Sequence, residues 1–410
     1  MSAENQTIHA SANRGWVVTF AGLGINLALG VLYAWSMFKD AIKSELHFDE
    51  GQLNDPYALC CLVFAATMIV AGRCQDKIGP RLTATIGGLL IGAGLILISQ
   101  SKSYGVWLLG FGVLGGLGMG FGYSSATPPA LKWFPPAKTG LIAGLVVAGF
   151  GLAPVYLAPL SKYLVENFQL QKSMLFLGIG FLIAIVCLAQ LLVNPPAGYV
   201  AATAPGSTPK PVVAGSSPSE ILRTPIFWVL WLCYFIGSGA GLMVIGSISG
   251  MAKKSMGTQA FIAVAVMAIG NASGRVIAGI LSDRIGRRTT LMLVLLIQAC
   301  LMFAAIPITA SGDAKLSVVL VAALIGANYG ANLSLFPSFT KDLWGIRNFG
   351  LNYGVLFTAW GVGGLILPRV QQMLTKSAGG SFQSSFITAG VLLIIGAALT
   401  FLIKPKPVAH

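Results

Sequence analysis

GRCQDKIGPR at 72–81 and GILSDRIGRR at 279–288 carry one pattern, Gly-x-x-x-Asp-x-x-Gly-x-Arg, in two places. The matched residues are Gly72, Asp76, Gly79 and Arg81 in the first copy and Gly279, Asp283, Gly286 and Arg288 in the second. Each residue of the second copy lies 207 positions after its counterpart, about half of the 410-residue chain. Four matched positions at one offset mark a duplicated chain. Both copies follow a long apolar run, so each closes a helix with a short basic turn. The glycines allow a tight turn and close helix approach. The aspartate at the helix end can face the positive N-terminus of a neighbouring helix and a nearby arginine. Such a contact latches two helices, which makes Asp76, Arg81, Asp283 and Arg288 candidate gate residues.

Working outward, the surroundings are those of a membrane protein. Hydrophobic residues make up 55% of the chain and charged residues 9%, against about 25% charged in an ordinary soluble domain. The mean hydropathy is +0.80. Apolar runs reach the roughly 20 residues that cross a bilayer core. They predict twelve spans, near 16–38, 53–73, 82–101, 104–131, 139–163, 172–194, 225–249, 257–281, 289–309, 316–340, 349–373 and 382–403. The 51 glycines suit close helix contacts in lipid. Residues 195–222, rich in Pro, Gly, Ala and Ser, read as a flexible linker between a six-helix bundle at 1–194 and another at 223–410.

Charge sets the orientation. With both termini cytoplasmic, the loops on that side carry fifteen Lys and Arg against ten on the other. The net charge of +14 is spread in small groups between spans, with no extended basic stripe to bind nucleic acid. The polar first 15 residues lead into a run long enough to stay as the first helix, so no cleaved signal is expected. The six cysteines (Cys60, Cys61, Cys74, Cys187, Cys233, Cys300) lie in or at the ends of apolar runs without metal spacing and are expected to be buried thiols.

The repeated loop resembles the signature of the major facilitator superfamily between its helices 2–3 and 8–9. Finer matches point to the oxalate:formate antiporter and monocarboxylate transporter families: Gly30-Val-Leu-Tyr33-Ala-Trp35-Ser36-Met-Phe38, Asp76-Lys-Ile-Gly79-Pro80-Arg81, Trp133-Phe134-Pro135, Arg223-Thr224-Pro225-Ile-Phe227-Trp228, Phe336-Pro337-Ser338 with Asp342, and Asn352-Tyr353-Gly354. The resemblance implies an all-α fold of twelve transmembrane helices in two pseudo-symmetric bundles. It also implies alternating access around a site near the bilayer midplane.

One charge stands out. Every acidic residue and every other basic residue can be assigned to a loop or helix end, but Arg275 falls inside AVMAIGNASGRVIAGILSD. A charge at the bilayer centre costs at least about 2.5–3.5 kcal/mol, so such a residue is a functional candidate. Asn271 lies four residues earlier on the same face. The planar guanidinium fork suits a carboxylate. The alternative is that Arg275 snorkels to the edge six residues away, at Leu281. The resemblance implies that Arg275 anchors a substrate carboxylate. The monocarboxylate transporters carry an Asp-x-x-x-Arg pair there, whereas this chain has Asn271, which argues against a proton-carrying group at that position.

The oxalate exchanger's helix 11 holds a buried lysine where this chain has Trp360. One fixed cation balances one negative charge and two would balance a dicarboxylate, so a monocarboxylate is expected. Helices 1, 4, 7 and 10 line the pathway in this superfamily. Leu32, Tyr33, Tyr123, Asn328, Tyr329 and Asn332 are therefore cavity candidates, and Tyr123 and Tyr329 match aromatic cavity positions of the resembling families. No Asp, Glu or His falls mid-membrane; His9, His47 and His410 lie outside the spans. The proton either rides with the substrate or is absent from the cycle, as in anion exchange. Asp55, near an outer helix end, is read as a solvated residue. An enzyme is not expected: no mid-span catalytic pair and no His-Glu-x-x-His occurs. The expected partners are a small carboxylate, protons and the lipid bilayer, with no cofactor, metal or nucleic acid. The chain is expected to work as a monomer in a cytoplasmic membrane.

Overall fold

The computed structural model of the protein describes residues 3–196, 198, 199, 201, 215–245, 260–310 and 315–403. Among these residues the regular structure is helical, with eleven helices long and apolar enough to cross a membrane. One of them, Pro136–Ala189, has 54 residues and would reach roughly 80 Å, far more than a bilayer core needs. It turns back at Gln169, whose φ of 65° breaks the helix. The two arms run antiparallel, because Gly149 and Leu188 both lie against residues 23–24. Twelve crossings result, as the apolar runs predict. We number them α1 (Asn13–Leu46), α2 (Gly51–Ile78), α3 (Pro80–Ser99), α4 (Tyr104–Trp133), α5 (139–168), α6 (170–189), α7 (Pro225–Met243), α8 (Ile262–Ile285), α9 (Arg287–Ile308), α10 (Leu316–Trp344), α11 (Phe349–Ser377) and α12 (Gln383–Leu402). Parts of the seventh and eighth expected spans, 246–249 and 257–259, lie outside the described residues.

Burial sorts the faces of each helix. On α8, Arg275 is fully buried while Ile277, two residues on, is 62% exposed and faces the outer perimeter. Cys187 and Cys300 are also exposed there, contrary to the expectation of uniformly buried thiols; Cys60 and Cys233 are buried. A thiol is small and apolar enough to sit against lipid as well as protein. Small residues let the backbones touch: a Cβ on Gly274 would overlap the Ala327 carbonyl, and one on Gly330 the Asn271 carbonyl, so α8 and α10 pack main chain to main chain. In the tight turns after α2 and α8, Gly79 and Gly286 have φ of 87° and 91°, which only glycine adopts cheaply.

The halves meet chiefly along two helix pairs, α2 with α11 and α5 with α8, and α10 also packs across onto the α5–α6 arm. Both pairs are clamped on the linker side by a carboxylate at a helix N-terminus. Asp76 at the end of α2 accepts the first-turn amides of Gly350 and Leu351 on α11 at 3.1 and 3.0 Å. Asp283 at the end of α8 accepts those of Gly140 and Leu141 on α5, both at 2.9 Å. Each carboxylate satisfies two otherwise orphan donors and opposes the positive end of a helix dipole. Lys341 adds a bond across the halves to the Leu131 carbonyl at 2.9 Å.

The arginines differ from the reading of the motif. Arg81 is exposed, and Arg288 lies over the Phe401 ring, 5.2 Å from its centroid. The arginine in the second latch is Arg287, which pairs with Asp283 at 2.7 Å and with Asp342 at 2.9 Å and donates to Ser282. It begins α9, so its side chain turns back into the interface, whereas the motif arginine one residue on points to the perimeter. Its counterpart in the first half is Pro80, so that latch has no such ion pair.

The end of the segment read as a linker packs on the second half. Residues 202–214 lie outside the described residues, but the stretch that follows is built against α11. Ser216 donates its amide to the Trp344 carbonyl at 2.9 Å, and its own carbonyl accepts from Asn348 and Asn352 at 3.1 and 3.0 Å. Ser217 then caps a short helix, Pro218–Leu222, with Glu220 completing the capping box.

Two outcomes follow from this packing. Gly274→Val should destabilise the protein by about 1–3 kcal/mol or prevent its accumulation, while Gly180→Val, which faces open space, should be neutral in a thermal-stability scan in detergent. Asp283→Asn should raise amide hydrogen exchange in 139–143 about tenfold and leave 350–351, held by Asp76, unchanged.

Candidate functional site

Arg275 sits where α8 crosses α5. Its Nε donates to the Asn271 side-chain oxygen at 3.0 Å, the i,i+4 pairing expected of the two residues. Its Nη1 donates to the backbone carbonyl of Val147 on α5, in the other half of the molecule. A Cβ on Gly151 would come within 3.1 Å of Nε, so the bare backbone there gives the guanidinium its seat. Nη2 is buried without a partner. Among the described residues no carboxylate reaches the group. A buried cation is thus partly solvated by neutral oxygens and left with one unused donor edge. Leaving that donor unpaired costs about 1–3 kcal/mol or more, since the group is charged. Snorkelling is excluded in this conformation by its zero exposure.

An aromatic wall stands beside it. Phe150, next to Gly151, packs edge-on to Tyr33 of α1 at 5.0 Å and to Tyr123 of α4 at 5.6 Å between ring centroids. Tyr33 lies in a 3-10 turn, Gly30–Ala34, that interrupts α1 and brings its ring to α10. There the Tyr33 and Tyr329 hydroxyls are 2.6 Å apart, and the Trp360 indole donates to Tyr329 at 2.9 Å. Phe64 of α2 and Phe357 of α11 close the ring against Trp360, with centroids 5.4 and 5.0 Å away. Arg275 lies within electrostatic reach of Tyr33, Tyr123 and Tyr329. The result is a permanent positive charge at the edge of a packed aromatic cluster contributed by helices of both halves. A small anion with an apolar body suits such a place, the charge taking the donor edge and the body taking the rings.

The structure gathers most of the residues singled out in the sequence. Arg275, Asn271, Tyr33, Tyr123, Tyr329 and Trp360 belong to one neighbourhood, and Leu32 is fully buried in the same 3-10 turn as Tyr33. Asn332 stands apart. Its amide donates to the Asn328 carbonyl at 2.9 Å and to Gln298 of α9 at 3.4 Å, and its oxygen lies against Gly237 of α7. That places it inside the second bundle, away from the aromatic cluster; a polar residue in an apolar run can satisfy itself against a neighbouring helix as well as in a cavity. Asn328 bonds to the Leu324 carbonyl of its own helix at 2.8 Å. Asp55 accepts from Tyr104 at 2.7 Å on the exposed side opposite the linker. Phe64, Phe150 and Phe357 were missed, because an aromatic ring in an apolar run gives no sequence sign of whether it faces lipid or the protein interior.

A family model described as Major Facilitator Superfamily matches residues 16–368 and 263–410. The chain is 30% identical over 357 residues to the uncharacterized MFS-type transporter YhjX of Escherichia coli (strain K12), covering 85% of this chain and 86% of that one. It is 27% identical over 399 residues to the oxalate:formate antiporter of Oxalobacter formigenes, covering 96% and 92%, and 25% identical over 399 residues to human monocarboxylate transporter 11, covering 93% and 81%. Among solved structures, the MFS proton:xylose symporter XylE aligns with a TM-score of 0.73 at 14% identity, over 96% of this chain and 97% of that one, a likeness of fold. With the duplicated latch, the twelve crossings and an aromatic cluster shared by both halves, the chain belongs to the Major Facilitator Superfamily.

Proposed function

We propose that this transporter carries small monocarboxylates, of the lactate or pyruvate kind, together with a proton. The observation that supports this most is the buried, unpartnered Nη2 of Arg275 beside the aromatic cluster. An incoming carboxylate would take Nη2 and compete with the Val147 carbonyl for Nη1, making the bidentate pair that guanidinium favours. Asn271 would keep the fork oriented through Nε. The short apolar tail would rest on Phe150, Tyr123 and Trp360, and a 2-hydroxyl or 2-keto oxygen would meet the Tyr33–Tyr329 pair. One cation matched by one carboxylate favours a monoanion over a dianion in a low-dielectric site.

The proton would ride with the substrate or bind once the substrate has neutralised Arg275, since the cluster's described side chains include no acid or histidine. Alternating access would come from rocking of the halves, 1–194 and 223–410, over the linker at 195–222. The Asp76 and Asp283 clamps would close the linker side in one state and release in the other. Both termini would lie on the cytoplasmic side of a bacterial-type inner membrane, and each monomer would hold a complete pathway. Exchange of one anion for another without a proton, as in an oxalate/formate-type exchanger, is the second reading, favoured by the similarity to the oxalate:formate antiporter across 96% of the chain.

Purified protein in proteoliposomes should take up labelled L-lactate into empty vesicles when an inward proton gradient is imposed. Uptake confined to anion-loaded vesicles and indifferent to pH would instead establish exchange. Arg275→Ala should lower uptake at least about 100-fold while still inserting, and Arg275→Lys should recover little because an ammonium lacks the fork; uptake retained by both variants would reject the assignment. Trp360→Lys, by adding a second cation, should weaken lactate binding and strengthen oxalate binding in a competition assay.

A further inference from the structure

Between the aromatic cluster and the linker-side latch lie two tyrosines that the substrate pose above leaves unused, and a third, Tyr123 of the cluster itself, faces them. Tyr123 of α4, Tyr234 of α7 and Tyr353 of α11 all pack on the Phe357 ring, with centroids 5.5, 6.1 and 5.7 Å away. Their hydroxyls approach one another without closing a well-formed hydrogen bond, and all three oxygens are buried and unpartnered. Tyr353 and Tyr234 are 3% and 0% exposed. Tyr353 follows Gly350, which Asp76 holds, by three residues and precedes Trp360 by seven. Along the helix axis Tyr353 therefore sits roughly 4–5 Å above the latch and roughly 10 Å below Trp360. Tyr123 belongs to the first half, whereas Tyr234 and Tyr353 belong to the second. When the linker side opens, the cluster must part.

A buried hydroxyl without a partner is costly, and three converging from opposite sides of a moving interface point to a ligand oxygen. We propose that these phenols form a second, weaker station for the substrate carboxylate, occupied as it passes between Arg275 and the linker side. This rests on the carboxylate reading above. Each phenol can donate one hydrogen bond to an anion but brings no fixed charge, so the station holds the substrate more loosely than Arg275 does. A pathway that grips in one place benefits from a looser hold on the way out, because occupancy must be strong enough to enter and weak enough to leave. Phe357 separates the two stations and supports the rings of both.

The test compares the wild type with Tyr234→Phe, Tyr353→Phe and the double variant in proteoliposomes, after thermal scans establish that each is folded. The probe is labelled L-lactate, read as equilibrium binding to detergent-solubilised protein and as flux. The double variant should bind within about twofold of wild type but transport about tenfold more slowly, with each single variant between. Unchanged flux would overturn the station. A parallel loss of binding and flux would also overturn it, by placing the hydroxyls in the Arg275 site or in the fold. Wild type that neither binds nor moves lactate would instead sink the carboxylate reading, a result separable from the other two.

Discussion

A permanent positive charge inside a layer of hydrocarbon thickness has to be solvated by protein, and much of this fold is arranged around how Arg275 meets that requirement. The guanidinium lies on α8, but one of its two oxygen partners is the Val147 carbonyl of α5 in the other half. Its solvation therefore depends on the halves being together at that level. Gly151 must lack a side chain to seat it, and the α8–α10 contact through Gly274 and Gly330 fixes the helix that presents it. An anion at Nη2 would relieve the charge and loosen its dependence on Val147 at once. In the proposed function, binding and the inter-half contact would thus be linked through one side chain, the differential interaction a ligand needs in order to shift a conformational equilibrium.

The duplication gives two equivalent clamps, and the chain has made them unequal. Asp76 and Asp283 each hold the two leading amides of a partner helix in nearly the same geometry. Among the described residues the second alone is braced by an ion pair, through Arg287 to Asp283 and Asp342; Pro80 occupies the equivalent place in the first. The first has instead the strap of Ser216, tied by Asn348 and Asn352 to the same helix start that Asp76 grips. One half-interface is secured by charge and the other by backbone and amide hydrogen bonds. Salt will screen the more accessible parts of the former more than the latter.

The sequence made the architecture legible because bilayer thickness imposes span length, and the 207-residue repeat carries the symmetry. Arg275 and Asn271 were legible for the same reason: a charge in an apolar run is conspicuous, and i,i+4 spacing determines a shared face. Identity within a tight turn was not. The motif's Arg288 turns outward to Phe401 while Arg287 enters the latch, since neighbouring residues at a helix start point about 100° apart. Asn332 failed differently, because interhelical bonding inside one bundle and exposure to a cavity leave the same sequence trace. The phenylalanines of the cluster leave none, lipid and protein interior being equally apolar.

The arginine and the second latch share one helix pair. Asp283 binds α5 at Gly140 and Leu141, and Arg275 binds it at Val147, about two turns deeper. The α5–α8 pair is thus pinned at two heights, one by a carboxylate on amides and one by a guanidinium on a carbonyl. Among the described residues, the α2–α11 pair has the lower pin, Asp76, and above it aromatic and backbone packing through Phe64, Phe357, Gly354 and Gly361. An anion that draws Arg275 away from Val147 removes the upper pin of one pair alone. The remaining hold on that pair would then be the Arg287-braced Asp283, whose ion pair would resist separation. Under the proposed carboxylate binding, closure on the linker side would be sensitive to occupancy at Arg275 along α5–α8.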